Sequence, residues 1–215
     1  MPIFYQQEVA EKTRLAVWKI EEDEDFFLQR VPLQREIRHP HKRLQHLAGR
    51  YLLQHLFPDF PLSLILIADT RKPYLADDIY HFSISHCHNY AAVIASKDQR
   101  VGIDIETITE KIQRISKKFL SDEERGLLSD NNDPAEQQID EITSYTIAWS
   151  AKEAVFKWYG LGEMDFRQHM QIQSLHEQEN RCLNVSLLFT KTEIHQLLKL
   201  EGKLFPDLSL CFIAS

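Results

Sequence analysis

Val101-Gly102-Ile103-Asp104-Ile105-Glu106 is the stretch on which the fold of this chain turns. Its alternation predicts a β-strand, because successive side chains on a strand point to opposite faces. Val101, Ile103 and Ile105 fall on one face and suit a core; Gly102, Asp104 and Glu106 fall on the other. Two carboxylates a pleat apart repel unless a proton or cation sits between them. Oxygen-only donors suit Mg2+, which binds through one or two carboxylates plus substrate phosphates. A solvated strand face carries the same pattern, so the pair alone leaves both readings open.

Downstream, Trp149-Ser150-Ala151-Lys152-Glu153-Ala154-Val155-Phe156-Lys157 lies in a helix expected over roughly residues 140–159 and stopped by Gly160. Tyr145, Ala148, Trp149, Val155, Phe156 and Tyr159 form its apolar stripe, and Lys152 falls on that stripe. A core-facing lysine must carry its ammonium to water or to an anion. Glu153 and Lys157 stand at i, i+4 in the favourable order. As a surface pair they would contribute only ~0.3–0.5 kcal/mol. Two lysines around a glutamate could equally hold phosphate, metal and phosphate at a reacting centre.

The rest of the chain sets the frame. Its 215 residues are 43% hydrophobic and 27% charged, a globular composition large enough for a full core. The net charge of −7 gives no global field for nucleic acid. Residues 1–100 hold 13 basic and 13 acidic side chains and residues 101–215 hold 12 and 19, so the excess is all in the second half. Arg30, Arg35, Arg38, Lys42, Arg43 and Arg50 face only Glu36 between positions 30 and 50, a local basic patch suited to a small polyanion. Cys87, Cys182 and Cys211 match neither a disulfide framework nor a metal motif and fit a reducing compartment. With no membrane-length apolar run and no signal-peptide order at the start, the expected location is cytoplasmic.

Periodicity predicts a strand over 14–20, a short helix after the acidic run 21–25, and a helix over 41–56. A buried strand at 62–68, a strand at 81–85, and a hairpin over 90–106 follow. Beyond the acidic strand come helices near 110–128 and 140–159, separated by a loop at 129–134, then strands near 168–174, 183–189 and 207–214. The fold class is therefore α+β, with two halves of similar make-up, residues 1–99 and 100–215, and no residue-level repeat.

The acidic strand, a spacer of about forty residues, and then Trp-Ser-Ala-Lys-Glu-Ala with Lys157 resemble the signature of the 4′-phosphopantetheinyl transferases. Further segments agree in order. Gln45-His46-Leu47-Ala48-Gly49-Arg50 is similar to a first-half helix of the larger members, Lys72-Pro73-Tyr74 to the Lys-Pro element, and Phe82-Ser83-Ile84-Ser85-His86 to Phe-x-Ile-Ser-His. Phe119-Leu120-Ser121-Asp122-Glu123-Glu124 resembles the helix start between the two main motifs. Two departures stand out: Arg71 replaces the glycine usual before Lys-Pro, and Cys87-His88 replaces small residues.

The resemblance implies a fold of two similar α+β lobes packed as a single-chain pseudodimer, with the active site in the cleft between them. It implies transfer of the 4′-phosphopantetheine arm of coenzyme A to a serine hydroxyl of an apo carrier protein (acyl, peptidyl or aryl), releasing adenosine 3′,5′-bisphosphate. Asp104, Glu106 and Glu153 would hold Mg2+, and Asp104, Lys152 and Glu153 would form the catalytic set, with Glu153 able to accept the serine proton. Lys152 and Lys157 would neutralise phosphate charge. His86 and the basic first half, with Arg43 and Arg50, would face the 3′-phosphate of the coenzyme, Lys72 and Pro73 would lie near the adenine, and Ser85 and Arg71 would also bind the coenzyme. Glu124 is a candidate without an assigned role. The first lobe would take the nucleotide end, the second the metal and pyrophosphate, in a monomer that binds neither nucleic acid nor membrane. Two other readings compete: a carrier-binding relative without turnover, and a generic Mg2+-dependent phosphohydrolase.

Overall fold

Continuous apolar runs, Leu15 to Trp18 and Ala91 to Ala95, set the centre of the first sheet. The computed structural model describes residues 3–33, 36–129, 139–191 and 193–215. The chain divides into two compact units, residues 1–105 with Ala214–Ser215, and residues 106–213.

In the first unit, β1 (Ile3–Ala10) and β2 (Thr13–Lys19) pair as an antiparallel hairpin. The short α1 (Glu24–Leu28) is capped by Asp23, whose carboxylate accepts from Phe26 N at 2.9 Å. Helix α2 (Pro40–Leu56) starts with proline in its first turn, where a missing N–H costs nothing. A 3-10 turn at Leu62–Leu64 leads to a small ladder of β3 (Leu66–Ile67) and β4 (Pro73–Tyr74). β5 (His81–Cys87) and β6 (Tyr90–Ser96) then form a hairpin, and the sheet order is β1-β2-β6-β5. Leu47, Ala48, Leu52 and Leu53 of α2 join Trp18, Ala91, Val93 and Ala95 in one core. Gly49 lets α2 approach β5 closely: a Cβ there would stand 2.9 Å from Ile84 Cγ2.

The division between the units falls within β7 (Val101–Thr107). The second unit continues through α3 (Lys111–Phe119), α4 (Asp122–Ser129) and α5 (Glu141–Tyr159). It ends in β8 (Met170–Glu177), β9 (Cys182–Lys191), β10 (Ile194–Leu204) and β11 (Leu208–Ala214), giving a sheet in the order β7-β11-β10-β9-β8. Ala148, Ala151, Ala154 and Val155 of α5 share a core with Leu187, Phe189, Leu200 and Ile213. Asp140 caps α5 by accepting from Thr143 N at 3.1 Å, and Gly160 ends it in the left-handed region at φ 75°. Among the described residues no helix is long and apolar enough to cross a membrane.

The α+β class stands, since each unit sets helices on an antiparallel sheet. Four local expectations change. The 90–106 hairpin does not form: β6 is flanked by β2 and β5 on its two edges, and β7 pairs with β11. The helix expected over 110–128 is two helices, because Leu120 is extended (ψ 138°) and Ser121 starts a new capped turn. The segment 62–68 is not a buried strand: Leu64, Leu66 and Ile67 are 53%, 46% and 45% exposed. β1 and β10 add strands where none was expected. Of the loop at 129–134, Ser129 ends α4 and the rest lies outside the described residues, as does Arg35 of the basic patch.

Candidate active site

Three half-buried residues form a stripe on α5. Trp149, Glu153 and Lys157 are spaced i, i+4, i+8, which puts them on one side of a helix. Trp149 Nε1 donates to Glu106 Oε1 at 3.1 Å. The second acid of β7 is thereby held against the helix face that presents Glu153 one turn later. Beside this stripe lies a recess of about 500 Å³, walled by Ile115, Phe119, Trp149, Met164 and Phe166, with Glu153, Lys118 and Asp165 on its lining. The ring of Trp149 is in contact with Phe119 (centroids 5.0 Å apart) and with Phe166 (5.5 Å). A carboxylate beside an aromatic wall is the arrangement a binding site needs to fix an apolar group next to a charge.

Asp104, in the first unit, is 2% exposed and accepts from Ser85 Oγ at 2.7 Å. The same Ser85 hydroxyl accepts from Ile105 N at 3.4 Å, and Ser83 Oγ accepts from Ile103 N at 3.2 Å. β7 is thus covered on both faces here: Gly102 and Asp104 are buried like Val101, Ile103 and Ile105. The two serines of Phe-x-Ile-Ser-His are tethers for the acidic strand. Ser85, expected to face the coenzyme, is 6% exposed and holds Asp104. His86, the next residue on β5, is exposed on the opposite face.

Lys152 also departs from expectation. It is fully buried, and its ammonium meets Glu124 Oε1 at 2.6 Å, Phe119 O at 2.6 Å and Phe166 O at 3.0 Å. Burial pushes its pKa down, and the Glu124 carboxylate pulls it back up. All three ammonium protons thus have acceptors within the protein. Glu124, 3% exposed, is the anion that the core-facing lysine demanded. Its other bonds are from Ile172 N at 2.7 Å to Oε1 and from Ser121 N at 2.8 Å to Oε2. With Glu124 N donating to Ser121 Oγ at 3.2 Å, Ser121 and Glu124 form a capping box at the start of α4. The Ser121-x-x-Glu124 spacing was the sequence signal for it.

In the first unit, Arg43 and Arg50 are both engaged by groups of the protein. Arg43 is bound in bidentate fashion by Glu24 at 2.6 and 2.7 Å and donates to Ile37 O at 2.9 Å. The hydrogen bond from Arg43 holds the Glu24 carboxyl below its usual range. Arg50 is 5% exposed and donates to His46 O at 3.4 Å. Arg71 adopts φ 66°, the left-handed region that a glycine would occupy without strain, in a turn closed by Arg71 N donating to Ala68 O at 2.8 Å. Lys72 follows it, half-buried, with its pKa lowered to about 8 by burial and by the positive charge of Arg100. Pro73 opens β4.

Residues 100–209, which include β7, the buried ion pair and the α5 stripe, match the profile of the 4′-phosphopantetheinyl transferase superfamily. The chain belongs to that superfamily. Among its relatives is enterobactin synthase component D of Salmonella austin, 33% identical over 119 residues covering 54% of this chain and 47% of the relative. 4′-Phosphopantetheinyl transferase gsp of Aneurinibacillus migulanus is 33% identical over 118 residues, 54% of this chain and 46% of its own. The L-aminoadipate-semialdehyde dehydrogenase-phosphopantetheinyl transferase of Xenopus laevis is 28% identical over 135 residues, 54% and 43% of the two chains. The match thus spans about half the length of these curated relatives.

Proposed function

We propose that the protein transfers the 4′-phosphopantetheine arm of coenzyme A to a serine hydroxyl of an apo carrier protein and releases adenosine 3′,5′-bisphosphate. The observation that carries this reading is the bond from Trp149 to Glu106, which ties the acidic strand to the helix face bearing Glu153 and Lys157. Acid, acid and lysine on one face are what a pyrophosphate substrate requires, because phosphoryl transfer depends mainly on positioning and charge stabilisation.

Asp104, Glu106 and Glu153 are the residues that would hold Mg2+. Among the described residues no three His, Cys, Asp or Glu side chains form a ready-made metal cage. The donor chemistry nonetheless fits: Mg2+ takes carboxylate oxygens sparingly and completes its shell with substrate phosphates and water. Held there, the ion would supply charge neutralisation at the pyrophosphate. Lys157 places a further positive charge near the same phosphates. Glu153 accepts the proton of the carrier serine as its oxygen forms a bond to the phosphorus bearing the pantetheine arm, and the bond from that phosphorus to the bridging pyrophosphate oxygen breaks, its electron pair leaving with adenosine 3′,5′-bisphosphate. Trp149 and Ser85 orient Glu106 and Asp104, while the aromatic walls beside Glu153 keep water away from the acceptor. His86 and Lys72 are assigned to the nucleotide end, at the 3′-phosphate and the adenine.

The test is to incubate the protein with coenzyme A, Mg2+ and apo acyl, peptidyl and aryl carriers, and to weigh the carriers. A gain of one phosphopantetheine on the carrier serine supports transfer. Binding without mass gain would make the protein a carrier-binding module, and cleavage of coenzyme A without an acceptor would make it a phosphohydrolase.

A further inference from the structure

We propose that Glu124 and Lys152 are positioning residues: their buried pair fixes the spacing of the aromatic walls beside Glu153, and neither touches substrate. The proposal rests on the transferase reading above.

Lys152 directly precedes Glu153, yet it points elsewhere, since adjacent residues lie about 100° apart around a helix. Its ammonium has three protons to donate. It has three acceptors, Glu124 Oε1 (2.6 Å), Phe119 O (2.6 Å) and Phe166 O (3.0 Å). That set is complete, so no proton is left for a phosphate. The two carbonyls belong to the aromatic residues whose rings flank Trp149, at 5.0 and 5.5 Å. One ammonium therefore clamps the end of α3 and the segment after α5 on either side of the Trp149 ring. Glu124 anchors the clamp, because its Oε1 also accepts Ile172 N of β8 at 2.7 Å and its Oε2 accepts Ser121 N at 2.8 Å. Four elements meet at one charge pair with no exposed surface beyond the 3% of Glu124.

Removal of either partner alone strands a buried charge and threatens the fold. The informative variant is thus the double substitution Glu124→Gln/Lys152→Met, which removes both charges and keeps their shapes, with Lys152→Met measured beside it. Three quantities are read: amide hydrogen exchange, coenzyme A affinity, and kcat toward a carrier. The expected result for the double variant is faster exchange confined to amides around 119–121 and 165–168. Coenzyme A affinity should stay within about threefold, while kcat falls on the order of 10²-fold, the scale of a small misplacement at a reacting centre. Lys152→Met should show the same local loosening together with a lower unfolding midpoint.

Unchanged exchange at both segments would overturn the proposal, as would a native kcat. Loss of coenzyme A affinity by about tenfold or more without a change in exchange would instead make Lys152 a phosphate contact. If the native protein transfers nothing, the transferase reading fails, and the exchange pattern still decides whether the pair holds the walls.

Discussion

Trp149 Nε1 on α5 holds Glu106 Oε1 on β7 at 3.1 Å. This bond sets an acid of the signature strand against the helix that bears the other signature residues. Trp149→Phe keeps an aromatic ring between Phe119 and Phe166 and removes the N–H along with part of the indole. A net hydrogen bond to a charged group contributes about 1.5–3 kcal/mol. The half-maximal Mg2+ concentration for transfer should therefore rise by about tenfold or more, with a thermal midpoint lowered only by the lost part of the ring. A Mg2+ titration of both proteins checks this, and an unchanged titration would detach Glu106 from the metal.

Ser85→Ala removes the 2.7 Å donor to Asp104 and the acceptor of Ile105 N in a site 6% exposed. Buried polar groups left without that partner should lower stability by about 1–3 kcal/mol in urea unfolding. Ser83→Ala, which removes only the acceptor of Ile103 N, should cost less. Equal losses would show that the Asp104 contact adds nothing.

Lys72 gives the expected pH dependence, with its pKa lowered to about 8 by burial and by Arg100. Between pH 8 and the ordinary lysine value of 10.5, the unfolded chain keeps this proton while the folded chain has lost it. The unfolded state then binds more protons, so the contribution of Lys72 to stability rises with pH through that window. Below it, the charged and partly desolvated ammonium costs stability. The stability of the native protein relative to Lys72→Gln should thus climb from pH 8 to 10. Coenzyme A affinity should fall over the same range if Lys72 serves the nucleotide end, and Lys72→Arg should lack that fall.

The larger strokes of the fold were legible because they are local. The Leu47, Ala48 and Leu52 stripe marks α2, Gly160 marks the end of α5, and the alternation of 101–106 marks β7. What the sequence hid is set by distant partners. Nothing local says that Ser83 and Ser85 will cover the polar face of β7, which turns an apparently half-exposed strand into one buried on both faces. The hairpin over 90–106 was plausible locally, but β2 and β5 compete for both edges of β6. β10 begins with four exposed residues, Ile194 to Leu197, and alternates only from Leu198 onward, where Gly202 interrupts the apolar set of Leu198, Leu200 and Leu204. For Lys152 the sequence demanded a buried anion without naming it; Glu124 supplies it from 28 positions away. Phe166 had no signal at all.

Two glycines separate packing from propensity. A Cβ at Gly202 would stand 2.3 Å from Leu210 O, a backbone atom that cannot yield, whereas a Cβ at Gly126 in α4 meets nothing within 4 Å. Gly202→Ala should destabilise by about 1–3 kcal/mol or more through overpacking. Gly126→Ala should stabilise by about 0.5–1 kcal/mol, since glycine is a poor helix interior. Denaturant midpoints of the two variants test the packing of β10 on β11 and the helicity of α4 separately.

The most direct measurement is the intact mass of an apo carrier protein after incubation with coenzyme A, Mg2+ and either the native protein or Glu153→Gln. Transfer predicts one phosphopantetheine added to the carrier serine by the native protein, equimolar release of adenosine 3′,5′-bisphosphate, and at least a hundredfold slower addition by Glu153→Gln, about the scale of a lost general base. No mass gain on acyl, peptidyl or aryl carriers with the native protein, or an equal rate with Glu153→Gln, would contradict the account.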